Sequence, residues 1–112
     1  MITIYHNPRC RKSRETLNLL SSRDDVTIKE YLKEPPSADE LAEVIKMLGI
    51  RAIDLVRKGE AVYKELFKGK DLSEEEWLDA MHNHPKLIER PIVIHAGKAA
   101  IGRPPEKVLA IL

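Results

Sequence analysis

The sequence predicts an α/β fold in which a βαβ unit at the start and a ββα unit at the end share one mixed four-stranded sheet. Residues 1–31 follow a strand, helix, strand pattern, which is the size of a βαβ unit. Residues 92–112 contain two short apolar segments around a glycine turn and a final helix. Residues 37–86 carry helix signals, so we expect one domain of residues 1–112 with a helical insertion.

The first strand and the first helix are separated by the stretch HNPRC, residues 6–10. Residues 1–5 are apolar and β-branched, which is typical of a buried central strand. Residues 11–22 contain no Gly or Pro, and two leucines recur at i, i+3 spacing, which predicts a helix. Cys10 is therefore placed at or just before the first turn of that helix.

This placement predicts a reactive thiol rather than a buried, inert one. The free N–H groups and the positive dipole end of a helix favour an anion such as a thiolate. The same turn is crowded by four basic residues, Arg9, Arg11, Lys12 and Arg14. Cations there oppose the helix dipole, and such local conflicts are typical of functional sites. We therefore expect the pKa of Cys10 to lie below about 8.5, the value of a free thiol.

The middle of the chain has clear helix signals. Val26–Tyr31 alternates apolar and polar residues, which predicts a half-buried edge strand parallel to the first. The capping boxes SADE, from residue 37, and SEEE, from residue 73, predict two helices, the first ending at Gly49 and the second near Pro85. Two shorter helices are expected around residues 53–56 and 62–67, punctuated by glycines.

The end of the chain changes from helix to strand signals. Ile92–Ile94 predicts a strand, and residues 95–97 turn it into a hairpin with Lys98–Ile101. Residues 102–105 then begin a last helix, whose apolar side is expected to be Val108, Leu109, Ile111 and Leu112. This order of elements, with a cysteine after the first strand, describes a thioredoxin-like sheet with a helical insertion.

Composition excludes several classes of function. A net charge of +1 with 4% aromatic residues argues against a nucleic-acid surface. No apolar run approaches the roughly 20 residues of a membrane helix, and the start MITIYHNP does not resemble a signal peptide, so we expect a cytoplasmic protein with no membrane partner. Because the chain has one cysteine, any redox cycle must be completed by an outside thiol.

Five motifs spread over the chain carry a closer resemblance: HNPRCRKSRETLNLL, KEPPSADEL, LVRKGEAVY, HPKLIERPIVI and GRPPEKVL. Together they resemble the glutaredoxin-coupled arsenate reductase (ArsC) family of the thioredoxin-like superfamily. The resemblance implies reduction of arsenate to arsenite with electrons from glutathione and glutaredoxin. It implies glutathione as a co-substrate and no tightly bound cofactor.

The resemblance also implies roles for individual residues. Cys10 matches the nucleophile, and three arginines match those that hold the oxyanion: Arg57, Arg90 and Arg103. Arginine stays charged and offers a planar fork to such anions, whereas most arginines are simply solvated surface charges. His6 and Ser13 match the residues that tune the thiolate, a protonated imidazole being favourable to it. Asn7 of the motif and Pro91, expected to be cis and to face the cysteine, match structural positions at the site.

Two alternative functions remain open. One is a monothiol oxidoreductase that acts on glutathione adducts. The other is a non-catalytic regulator that binds RNA polymerase, like the Spx-type branch, although Ser13 stands where that branch typically has a second cysteine. The chain also has Arg11-Lys12 where well-characterised arsenate reductases of this family have Gly-Thr.

No metal site is expected from the sequence. His82 and His84 are two positions apart on a predicted helix and face different ways, unlike the i, i+4 pair of a zinc-binding helix. Trp77 and Met81 have i, i+4 spacing and are expected to belong to the core.

Overall fold

The computed structural model describes all residues, 1–112, as two compact units. One unit contains Met1–Glu34 and Arg90–Leu112, and the other contains Pro35–Glu89. The predicted insertion, 37–86, falls inside the second unit, while the prediction of one domain over the whole chain stays a prediction. No helix has the length and apolar character needed to cross a membrane.

The first unit is built on a mixed four-stranded sheet, as predicted. Its strands are β1 (Ile2–Tyr5), β2 (Val26–Lys29), β3 (Ile92–His95) and β4 (Lys98–Ile101). Their spatial order is β2-β1-β3-β4. Strand β1 runs parallel to β2 and antiparallel to β3, and β3 runs antiparallel to β4. The central position of β1 explains why its residues are apolar on both faces.

Helix α1 (Arg11–Leu19) follows β1, and a 3-10 helix (Pro105–Ile111) ends the unit. Helix α1 is shorter than the predicted 11–22, because the Leu20 N–H donates to the Leu17 carbonyl, three residues back, and this tightens the end of the helix. The core of the unit consists of Ile2, Ile4, Leu20, Val93 and Val108. Both helices therefore pack against the sheet through residues that the apolar pattern indicated.

Three apolar positions are more exposed than predicted: Ile28, Leu109 and Leu112, of which Leu112 is 38% exposed. Ile28, on the edge strand, is 51% exposed, and the strand ends at Lys29 rather than Tyr31. Leu109 is 50% exposed, whereas the predicted last helix placed it on the buried side. The reason is that a 3-10 helix has three residues per turn, so Val108 and Ile111 share one face and Leu109 turns away from it.

The β3–β4 hairpin forms as predicted. His95 pairs with Lys98 across the turn, which leaves Ala96 and Gly97 as a two-residue loop. Their φ angles are 50° and 75°, and two successive residues in the left-handed region are typical of the tight turns that match strand twist. The hairpin places the end of β4 near the start of β3, and Arg90 and Arg103 lie next to these two strand ends.

The second unit is helical. It contains α2 (Ala38–Leu48), α3 (Ala61–Leu66), α4 (Glu74–Asn83) and two 3-10 segments, Ala52–Leu55 and Pro85–Leu87. Both predicted capping boxes are present, and the side chains of Ser37 and Ser73 accept the backbone N–H of the third helical residue. Gly49, at φ 69°, ends α2 as expected for a left-handed cap. Trp77 and Met81 are buried, which confirms their assignment to the core.

Candidate active site

Cys10 lies at the N-cap position of helix α1, where the sequence placed it. Its backbone is extended, with φ −95° and ψ 123°, and helical geometry begins at Arg11. The Cys10 N–H donates to the Asn7 carbonyl at 3.0 Å, which closes a turn between the strand and the helix. The residue is 9% exposed, so the thiol is largely shielded from water.

The surroundings of the sulfur favour the thiolate. Burial by itself raises the pKa of the Cys10 thiol, because a charged form loses solvation. The backbone N–H of Ser13, the charge of Arg90, the backbone N–H of Lys12 and the charge of Arg103 act in the opposite direction. Their combined effect is larger, so the pKa of Cys10 is lowered from its ordinary value.

The basic residues around Cys10 in the sequence do not produce this effect, which corrects the sequence analysis. The Arg11 Nε forms an ion pair with Glu15 at 2.9 Å, and Lys12 approaches the same carboxylate at 3.9 Å. The Arg14 Nη1 donates to the Pro8 carbonyl at 3.0 Å. All three side chains are exposed, so solvent screens their charges, and Glu15 also offsets those of Arg11 and Lys12.

Arg103 is the guanidinium that reaches the thiol. Its Nη2 lies 4.0 Å from the Cys10 Sγ, and its Nε donates to the Arg90 carbonyl at 2.8 Å. The Arg90–Pro91 peptide bond is cis, as the sequence analysis expected for Pro91. The Arg103–Pro104 peptide bond is also cis, and the sequence did not indicate this. Arg90 and Arg103, which flank the hairpin at its open end, are therefore linked to each other, and Arg103 is linked to the start of α1.

Three further residues of the first unit form a hydrogen-bonded group beside Cys10. The Ser13 Oγ is fully buried, accepts the Asn7 N–H at 3.0 Å and lies 2.6 Å from the His6 Nδ1. The Asn7 Oδ1 accepts the Arg9 N–H at 3.0 Å. This group ties the start of the 6–10 loop to the first turn of α1, on either side of Cys10.

The surroundings of His6 shift its pKa downward. Burial lowers the pKa of His6; Glu30 raises it and Arg14 lowers it, and the result is a pKa below the ordinary value. This shift disfavours the protonated imidazole that was expected to stabilise the thiolate. A neutral ring can still orient the Ser13 hydroxyl, and a tuning role for His6 and Ser13 stays a prediction.

Arg57 belongs to the second unit. It directly follows Val56, which forms an isolated antiparallel bridge with Ile88, and its N–H donates to the Leu87 carbonyl at 2.7 Å. Its guanidinium pairs with Glu60 at 3.1 Å and with Glu89 at 4.0 Å. Two carboxylates thus hold its side chain in place, and its part in oxyanion binding stays a prediction.

Two buried neighbours of the site were not singled out from the sequence. Thr16 is fully buried on α1, and its only sequence signal is a β-branched polar residue on the apolar side of a helix. Gly102, between β4 and Arg103, packs directly against Thr16 and Pro91.

The histidines of the second unit do not form part of a metal-ligand cluster. The His82 Nδ1 lies 2.9 Å from the Pro36 carbonyl. No group of three or more potential metal ligands occurs in the chain.

The fold and the site together define a thioredoxin-like protein with one thiol at the start of its first helix and a guanidinium beside it. Residues 5–111 match the model of the ArsC family. The chain belongs to the ArsC family.

Three relatives are similar to this chain over nearly their full length. The Escherichia coli (strain K12) protein YfgD, described as uncharacterized, is 51% identical over 99% of this chain and 96% of its own. An arsenate reductase of Haemophilus influenzae is 48% identical over 99% of this chain and 98% of its own. The structure named arsenate reductase from Vibrio cholerae has a TM-score of 0.94 and 47% identity, and covers 99% of this chain and 97% of its own.

Proposed function

We propose that this chain is a cytoplasmic arsenate reductase that converts arsenate to arsenite, with Cys10 as the nucleophile and glutathione and glutaredoxin as electron donors. The observation that carries the proposal is the position of Arg103 Nη2, 4.0 Å from the Cys10 Sγ at the start of a helix. A thiolate next to a guanidinium suits attack on an oxyanion. Relatives from Haemophilus influenzae and Vibrio cholerae that are named arsenate reductase support the choice of substrate.

In the first step the Cys10 thiolate attacks the arsenic atom of arsenate. A sulfur–arsenic bond forms, and one arsenic–oxygen bond breaks, its oxygen leaving as water after protonation. Arg90 and Arg103 neutralise the negative charge of the oxygens that remain, with Arg57 as the proposed third cation. Preorganised charges of this kind are an effective way to stabilise an anionic transition state.

In the second step glutathione closes the cycle, because the chain has one cysteine and cannot form an internal disulfide. The glutathione thiolate attacks the Cys10 Sγ, and a Cys10–glutathione disulfide forms. The electron pair of the sulfur–arsenic bond passes to arsenic, which leaves as arsenite. A glutaredoxin thiol then takes the glutathione moiety and restores the Cys10 thiol, so the protein needs no tightly bound cofactor.

The test is a coupled assay of the purified protein with arsenate, glutathione, glutaredoxin, glutathione reductase and NADPH. We expect NADPH oxidation that depends on arsenate and on glutaredoxin, and that is lost in Cys10→Ser. Turnover with thioredoxin in place of glutathione and glutaredoxin would overturn the proposed donors. An absence of arsenate-dependent turnover, with reduction of a glutathionylated peptide instead, would identify a monothiol oxidoreductase.

A further inference from the structure

Gly102 lies where the three segments that carry the site residues of the first unit meet. It follows β4, it is buried, and its N–H donates to the Pro91 carbonyl at 2.9 Å. The next residue along the chain is Arg103. The φ angle of Gly102 lies outside the left-handed region, so the backbone conformation at this residue does not by itself require glycine.

Space, not conformation, requires the glycine. A Cβ added at Gly102 would lie 2.5 Å from the Thr16 Oγ1, 2.8 Å from the Pro91 Cγ and 3.2 Å from the Thr16 Cγ2. At each other glycine in the chain, an added Cβ would have no such neighbour within 4 Å. Non-bonded carbon contacts are most favourable at about 3.5–4.0 Å, so the added atom would be about 1 Å too close.

Neither neighbour can easily move aside. Thr16 is fully buried, and its hydroxyl donates to the Lys12 carbonyl at 2.8 Å, so its rotamer is fixed by the helix. Pro91 is a buried ring that follows Arg90 directly. Because close-packed interiors transmit strain, an added methyl group would displace the backbone of residue 102 and, with it, the start of Arg103.

We propose that Gly102 is a positioning residue: the absence of a side chain lets the end of β4 close onto α1, so that Arg103 reaches the Cys10 sulfur. Arg103 Nη2 is 4.0 Å from that sulfur, and the attraction between the two charges falls as the distance grows. The inference deepens the proposed function, and its statement about arsenate rests on that function. Its statement about the thiolate does not need any substrate.

The test compares Gly102→Ala, Thr16→Ala and the double variant, with Gly59→Ala as a matched control, because an added Cβ at Gly59 meets open space. The readout is the ultraviolet absorbance of the Cys10 thiolate against pH. If the guanidinium moves from 4.0 Å to about 5 Å, the Cys10 pKa should rise by about half a unit. We expect Thr16→Ala and Gly59→Ala to keep the wild-type value. The double variant should lie between Gly102→Ala and wild type, because the contact with Pro91 remains.

An unchanged Cys10 pKa in Gly102→Ala would overturn the inference. A rise in pKa that is as large in the double variant as in Gly102→Ala would also overturn it. If circular dichroism shows that Gly102→Ala does not fold, the Cys10 pKa of the double variant is compared with that of Thr16→Ala. Equal values in these two variants would overturn the inference. With arsenate, Gly102→Ala should raise KM several-fold with a smaller change in kcat. Failure of arsenate turnover in the wild type would reject the proposed function, while the thiolate titration would still decide the role of Gly102.

Discussion

The Nε of Arg103 donates a 2.8 Å hydrogen bond to the carbonyl oxygen of Arg90, and this contact joins the two arginines whose charges lower the pKa of Cys10. The hydrogen bond also orients the guanidinium. While Nε donates to the backbone oxygen, Nη2 lies 4.0 Å from the Cys10 sulfur. A planar, permanently charged group is suited to this double contact. Lysine, with its single ammonium, could not hold the backbone and face the thiolate in the same geometry.

The first prediction is that Cys10 titrates below about 8.5, the free-thiol value, since the helix N–H groups and the two arginines outweigh the effect of burial on its pKa. The thiolate fraction rises with pH through the folded-state pKa, so kcat/KM should fall as the solution becomes more acidic. Between the folded and unfolded pKa values the unfolded chain binds more protons, so the thiolate adds stability as pH rises there. Thiolate absorbance measures the midpoint, with Cys10→Ser as the blank. A midpoint at or above about 8.5 would contradict the prediction.

The second prediction concerns Arg90 and Arg103. Replacing either by Ala should raise the pKa of Cys10 and lower kcat/KM for arsenate, because a charge-assisted contact worth about 1.5–3 kcal/mol, or about 10- to 150-fold, is removed. Lysine should restore part of the loss. Arg23→Ala is the control, since this surface arginine pairs with Asp25 at 3.5 Å. Wild-type kinetics in both Ala variants would remove these arginines from the site.

The third prediction concerns Arg57, whose guanidinium is held by Glu60 at 3.1 Å. If it contributes the third cation, Arg57→Ala should raise the KM for arsenate by about tenfold or more. Glu60→Gln should not weaken arsenate binding, because it leaves more of the guanidinium charge unneutralised. Arg51→Ala is the matched control, as this exposed arginine pairs with Asp54 at 3.8 Å. An unchanged KM in Arg57→Ala would exclude the residue from the site.

The fourth prediction concerns stability. Ser13→Ala leaves the Asn7 N–H and the His6 Nδ1 without the hydroxyl that lies 3.0 Å and 2.6 Å from them. Unsatisfied buried polar groups cost about 1–3 kcal/mol, so the free energy of unfolding in urea should fall by about that amount. Ser22→Ala, an exposed position, should change it by less than about 0.5 kcal/mol. Equal stability of the two variants would show that the Ser13 hydroxyl does not hold the loop.

The fifth prediction concerns the intermediate. During turnover with arsenate and glutathione but without glutaredoxin, the protein should accumulate one glutathione adduct on Cys10, since no second thiol of the chain can resolve the intermediate. Mass spectrometry of the quenched reaction should show this adduct in the wild type and not in Cys10→Ser. A dimer linked through Cys10 as the trapped species would show that a second copy, rather than glutathione, supplies the resolving thiol.

Much of the fold could be predicted because its signals act over a few residues. The capping boxes at Ser37 and Ser73 form within one helical turn, and the β3–β4 hairpin depends on the conformation of two loop residues. The position of Cys10 at the start of α1 follows from Asn7 and Pro8 breaking the strand. Such features depend on hydrogen bonds between residues that are close together in the chain, so the local sequence is enough to predict them.

By itself, then, the sequence determined the mixed sheet, the helical character of residues 37–86 and the place of the one thiol. Only the tertiary structure decided which charges act on that thiol. The adjacent Arg11 turns outward to Glu15, whereas Arg103, 93 residues away along the chain, reaches the sulfur. Residues that are close together in the sequence determine the backbone conformation over one turn. The direction of a long side chain and the solvation of a group such as His6 depend on which distant segments pack around it.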